Sequence, residues 1–156
     1  MTDSPLIPES NGWRAAIQDL GEAERELWQR VCSRFQLDLD SDHGPAHWLR
    51  VRRNGLFLAR KHGADEEVVR LFAVFHDSCR ECEYGDPPHG PRGGRLAIKY
   101  RDEGHFVLDD HRMDLLVTAC NIHNGSPPQE DATIGVCLDA DRLDLSRLDR
   151  RPIAAL

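Results

Sequence analysis

Apolar residues recur along this chain at spacings of three and four, and the strict alternation of a half-buried strand is absent, a pattern that predicts helices throughout. Prolines mark the breaks, because an interior proline removes a helical hydrogen bond and clashes with the preceding turn. Pro45 sits where a first turn would begin, Pro87, Pro88 and Pro91 fall in one Gly/Pro-rich loop, and Pro127 and Pro128 in another. Six helix-length windows remain. The first runs from Glu22 to about Gln36, with Leu27, Val31 and Phe35 on one stripe. The second runs from Pro45 to about His62, with Val51, Gly55 and Leu58 on its inward row and Gly63 in the C-capping position. Asp65 is placed to cap the third, which continues through Val68, Leu71, Phe72 and Phe75 to near Asp77. Gly90 to Arg101, Asp109 to His123 and Thr133 to Leu143 give the rest. The expected fold is one all-α bundle of about six helices over residues 21–156, behind an N-terminal tail of residues 1–20 that contains Pro5 and Pro8.

Length and charge narrow the classes. A chain of 156 residues builds one core. With 20 basic against 27 acidic residues the net charge is -7, which repels phosphate backbones, so no nucleic-acid polymer is expected as partner. The longest unbroken apolar run, Leu71 to Phe75, is far short of the roughly 18 to 20 residues that span a bilayer, so no membrane segment is expected. The opening MTDSPLIPES lacks the basic-then-apolar pattern of a secretory signal, and an odd count of 5 cysteines fits a reducing cytosol; the expected location is cytoplasmic. Cys79-Arg-Glu-Cys82 has no second CxxC to complete a zinc site and no βαβ context for redox chemistry.

Turning each helical window by 100° per residue shows which polar side chains point into the core. His47 lies on the row of Val51, Gly55 and Leu58. His76 follows Phe72 by four and Val69 by seven, and Asp77 comes next. His123 follows Ala119 and Leu116, and Asp141 follows Cys137 and Ile134, at the same offsets. Asp139, about 200° round from Asp141, points away. Any one of these reads as a hydrogen-bonded core residue or a helix cap. Together, without partners, they would cost on the order of 1 to 3 kcal/mol each. A divalent cation would satisfy them all, and imidazole nitrogen with carboxylate oxygen suits Mn, Fe, Co, Ni, Zn or Mg.

With those residues in hand, the sequence resembles the HD superfamily of metal-dependent phosphohydrolases. The resemblance spans about residues 42 to 145 and rests on His47 within His43-Gly-Pro-Ala-His-Trp-Leu-Arg-Val51, the pair His76-Asp77, and Asp141 within Leu138-Asp-Ala-Asp-Arg-Leu143. It implies an all-α fold in which His47, His76, Asp77 and Asp141 hold a metal. His43 competes with His47 for the first place, but Gly44 and Pro45 make His43 a turn or cap residue, and His47 is favoured. His89 and His123 fall where some HD proteins supply further histidines for a second metal or for phosphate, so one or two ions are implied. The resulting order His, His-Asp, His, His, Asp resembles the dinuclear HD hydrolases and also the HD-fold di-iron oxygenases. Arg80 stands where alarmone-type members have the first residue of an acidic pair, and the Gly-Tyr-Pro segment of the cyclic-di-GMP-cleaving members is absent.

The expected activity is hydrolysis of a small phosphate ester, a nucleotide among the candidates, with Asp77 orienting the attacking water. Arg80, Arg92 and Arg95, close to the metal loop, are candidates for bidentate contacts to phosphate. An HD-fold di-iron oxygenase and a non-catalytic metal-binding regulatory module are the alternatives. Trp13 and Trp28 could pack the leading segment onto the domain or line a homodimer contact, and the apolar end Arg150 to Leu156 has the same two uses.

Overall fold

Leu71 to Phe75, the C-terminal half of helix α4 (Glu66–Phe75), are apolar on every side, and such a run belongs in the middle of a fold. In the computed structural model, which describes residues 12–146, Val68, Val69 and every residue from Leu71 to Phe75 are buried. Against α4 lie α2 (Glu22–Arg34), α3 (Pro45–His62), α5 (His89–Asp102), α6 (Asp110–Ile122) and α7 (Ala132–Leu145), while α1 (Trp13–Gln18) packs on α2 and α3. No strand occurs among the described residues, and none of their helices is long and apolar enough to cross a membrane. The chain is all-α, as its periodicity requires. Helices α3 and α7 pack on each other and on α4, as do α5 and α6, and α6 also meets α7.

Local chemistry sets the ends of these helices. Asp65, Asp109 and Asp131 each accept a hydrogen bond from the backbone amide three residues on, satisfying a first-turn donor of α4, α6 and α7. Pro45 begins α3, and Gly63 ends it with φ 67°, a left-handed turn that suits glycine. Residues 13–18, within the expected tail, instead form α1. Its Trp13 and Ile17 are buried, and the Trp13 indole donates to Asp40 Oδ1 at 2.9 Å. Six residues are too short a window for periodicity to reveal. Trp28 is fully buried, with its ring centroid 6.1 Å from that of Trp48. Pro5, Pro8 and the end Arg150 to Leu156 lie outside the described residues.

Glycines let α5 approach closely. A Cβ on Gly93 would run into the Phe75 carbonyl oxygen, and one on Gly90 into that of Cys120, so α5 lies against the C-terminal ends of both α4 and α6. Gly93→Ala is therefore expected to destabilise the protein by about 1 to 3 kcal/mol, the usual cost of overpacking a rigid contact. Denaturant unfolding against the parent protein measures it, and an unchanged midpoint would contradict the contact.

Candidate metal centre

The C-terminus of α4 delivers the first two residues of the centre. His76 is the C-cap of α4, fully buried and stacked on Phe72 with centroids 4.8 Å apart, and Asp77 follows in the turn at 2% exposure. His47 comes from the first turn of α3, Asp141 from the middle of α7, His89 from the start of α5, and His123 from the C-cap of α6. All six are buried, whereas the Asp139 side chain is 64% exposed. The C-terminal ends of α4 and α6 and the N-terminal ends of α3 and α5 thus meet at one spot, so the helix dipoles there oppose one another and the buried carboxylates set the preference for a cation.

The six side chains form two groups that share one carboxylate. In the first, His47 Nε2 lies 3.1 Å from His76 Nε2, 3.1 Å from Asp141 Oδ1 and 3.2 Å from Asp77 Oδ2. His76 Nε2 is 3.4 Å from both Asp77 Oδ2 and Asp141 Oδ1. In the second, His89 Nε2 and His123 Nε2 are 2.8 Å apart and lie 3.1 Å and 3.3 Å from Asp77 Oδ1. Asp77 therefore turns one oxygen to each pair of imidazoles.

Hydrogen-bond partners assign the tautomers. His76 Nδ1 faces the Phe72 and Ala73 carbonyls at 3.1 and 3.0 Å, His123 Nδ1 the Cys120 carbonyl at 2.8 Å, and His89 Nδ1 the Asp86 carbonyl. His47 Nδ1 faces Asp144 Oδ2 at 2.6 Å. Each partner accepts, so each Nδ1 donates, and each neutral imidazole turns the bare lone pair of Nε2 inward. Two such lone pairs cannot face one another at these distances without a positive charge between them. Asp141 Oδ1 makes the same demand: it is a buried acceptor that no donor satisfies in hydrogen-bonding geometry. Each group could hold a metal ion, because its donors lie within 4.8 Å of one another and are of the imidazole and carboxylate types that divalent metals take.

The electrostatics agree. Burial opposes ionisation of Asp77, but the imidazoles of His76, His123, His47 and His89 gathered round it outweigh that cost and hold the carboxyl well below its ordinary range. Asp141 and Asp144 are held low in the same way, Asp141 by His47 and His76, Asp144 by His47 and Arg50. Burial likewise works against a charge on His47, yet Asp141, Asp144 and Asp77 push its pKa well above the usual value. The surroundings demand a cation at Nε2, and a proton is the smallest one that serves.

The arginines differ in position. Arg80, 9% exposed, donates from Nε to Asp77 Oδ1 at 3.2 Å and from Nη1 to the Glu83 carbonyl at 3.1 Å, so its guanidinium borders the centre. Arg92 donates to the Cys79 carbonyl at 3.0 Å and to Asp86 Oδ2 at 2.6 Å, an oxygen that also accepts the Glu81 amide. It clamps the loop that presents the Asp86 carbonyl to His89. Arg95 is exposed. His43 is buried in the turn before α3, its ring 5.9 Å from that of His47, and belongs to neither group. Cys79 Sγ accepts from Arg34 at 3.0 Å, Cys82 is exposed, and both are free.

Sequence reasoning passes over Asp144 and Arg50. Asp144 follows Asp141 by three and Cys137 by seven, which places it on the inward face of α7, and Arg50 follows His47 by three. That signal was present in the spacing. No family model, no curated protein and no solved structure matches the chain.

Proposed function

We propose that the protein is an HD-type metal-dependent phosphohydrolase that cleaves a small phosphate ester, nucleotides being the first class to test. The observation that carries this reading is the division of Asp77 between two pairs of imidazoles, Oδ2 toward His47 and His76 and Oδ1 toward His89 and His123. A pair of adjacent cations suits phosphoryl chemistry: such ions supply Lewis acidity to the phosphoryl oxygens and acidify water. His47, His76, Asp77 and Asp141 would hold one ion, and Asp77, His89 and His123 the other. The second group has three protein donors against four, which leaves it the more open to substrate.

The chain's own groups do the rest. The Arg80 guanidinium has N–H groups beyond the two that its protein partners use, and these can meet phosphate oxygens in a nearly dry setting where such contacts are strong. Arg92 keeps His89 aimed. Asp77, acceptor-only when ionised, can orient a water through a lone pair not already engaged.

Protein as isolated should contain divalent metal by elemental analysis and, with Mn or Co, release inorganic phosphate from one or more members of a panel of nucleotides and sugar phosphates. Chelation should stop the release. Arg80→Ala should lower kcat/KM by about 10- to 100-fold, since a hydrogen bond to a charged group is worth about 1.5 to 3 kcal/mol and each decade about 1.4 kcal/mol, with metal content unchanged. Absence of phosphate release across the panel from metal-loaded protein would count against the reading. The presence of a second group of donors also favours an alternative, a di-iron oxygenase on the same residues; two irons per chain, an absorption band of the oxidised protein and oxygen consumption would select it instead.

A further inference from the structure

Three of the four inward-facing imidazoles are oriented by main chain. The Nδ1 atoms of His76, His89 and His123 all bond to carbonyls three or four residues earlier, which the local backbone turn supplies. His47 has no such support. It lies in the first turn of α3, where the preceding carbonyls are engaged elsewhere: that of His43 accepts the Trp48 indole at 2.7 Å and that of Gly44 the Trp48 amide at 3.2 Å. Its Nδ1 bonds instead to a carboxylate from another helix, 97 residues on, Asp144 Oδ2 at 2.6 Å. The other oxygen of Asp144 accepts Arg50 Nε at 2.7 Å, and the Asp144 side chain is only 5% exposed.

We infer that Asp144, itself fixed by Arg50, is the positioning residue that keeps the proton of His47 on Nδ1 and so leaves Nε2 free to ligate. This rests on the metal reading above and extends it beyond the donors themselves. Asp144 acts through His47 and is not a ligand: it lies on the far side of the ring from His76, Asp77 and Asp141, which gather at Nε2. A carboxylate behind a ligating imidazole fixes ring and tautomer and raises the basicity of the ligating nitrogen. Because this orienting group is a side chain, it can be changed without disturbing the backbone.

In Asp144→Asn the amide oxygen accepts from Arg50, so the amide N–H groups face His47 Nδ1. A donor there favours the tautomer protonated on Nε2, the wrong one for binding. Titration with Mn or Zn, followed by calorimetry and elemental analysis, should find two ions on the parent protein. On Asp144→Asn the ion held with His47 should be weakened by about 10- to 100-fold, with the ion held by His89 and His123 unchanged. Should the variant fail to fold, the parent protein still decides: proton–nitrogen spectra of the zinc-loaded form should show the His47 proton on Nδ1. Equal affinity for both ions in parent and Asp144→Asn would overturn the role of Asp144 and leave the metal centre standing, whereas a proton on Nε2 in the zinc-loaded parent would overturn both that role and His47 as a ligand. A parent protein that takes up neither Mn nor Zn would overturn both.

Discussion

Asp77→Ala is expected to abolish metal binding at both groups and to lower phosphate release by at least about 10³-fold, a far larger effect than the loss of any other single donor. The reason is geometric. His123→Ala removes one nitrogen from one group and leaves the four donors His47, His76, Asp77 and Asp141 in place. Asp77→Ala removes the donor common to both, and with it the carboxylate that four imidazoles and Arg80 surround. Metal ions contribute several kcal/mol of transition-state stabilisation, and at about 1.4 kcal/mol per decade that sets the scale of the loss. Circular dichroism should show the helices retained, since the residues that build the core around α4 are untouched. Stoichiometry separates the variants: neither ion on Asp77→Ala, one on His123→Ala. Activity surviving Asp77→Ala would remove Asp77 from the centre of the mechanism.

The helices and the inward donors differ in how far the chain alone discloses them. Offsets of four and seven from Phe72 and Val69, or from Cys137 and Ile134, are enough to turn His76 and Asp141 inward, because an α-helix fixes direction once its phase is known. His89 has no such row behind it. It opens α5 after a proline pair, and its approach to His123 depends on Gly90 and Gly93 lying against the carbonyls of α6 and α4. That is a tertiary fact, which no local pattern encodes. The partners of Arg92 belong to the same kind. A guanidinium beside a Gly/Pro-rich loop reads the same in sequence whether it faces solvent, phosphate or Asp86, and only the fold, which puts Arg92 in the first turn of α5, selects Asp86. Asp144 is the opposite case: its phase marks it as inward, but a second acid three residues from Asp141 looks redundant until His47 is seen to need a partner at each ring nitrogen.

Adding Mn or Zn to chelator-treated protein should raise Tm, and by more as the pH rises from about 5 to about 8. In the chelated protein His47 has a pKa raised above its ordinary 6.5. Its contribution to stability is therefore fully present below about 6.5 and is lost as pH rises through the higher, folded value. Asp77, Asp141 and Asp144 have pKa values depressed below 3.8, so their contribution is present above 3.8 and is lost as pH falls through the folded values. His43, whose pKa burial lowers to about 4, contributes stability that is present above 6.5 and is lost as pH falls toward that lowered value, so the chelated protein is disfavoured on the acid side by His43 and on the alkaline side as His47 loses its proton. A metal ion takes the place of that proton and needs the imidazole neutral, so proton competition is strongest at low pH and fades as pH rises. At a free-metal concentration a hundredfold above Kd the gain is about 2.7 kcal/mol, which for a domain of this size is about 5 to 11 °C in Tm. Thermal melts with and without chelator across the range measure it. A metal-induced shift that shrinks with rising pH would mean that the ion binds elsewhere than at His47.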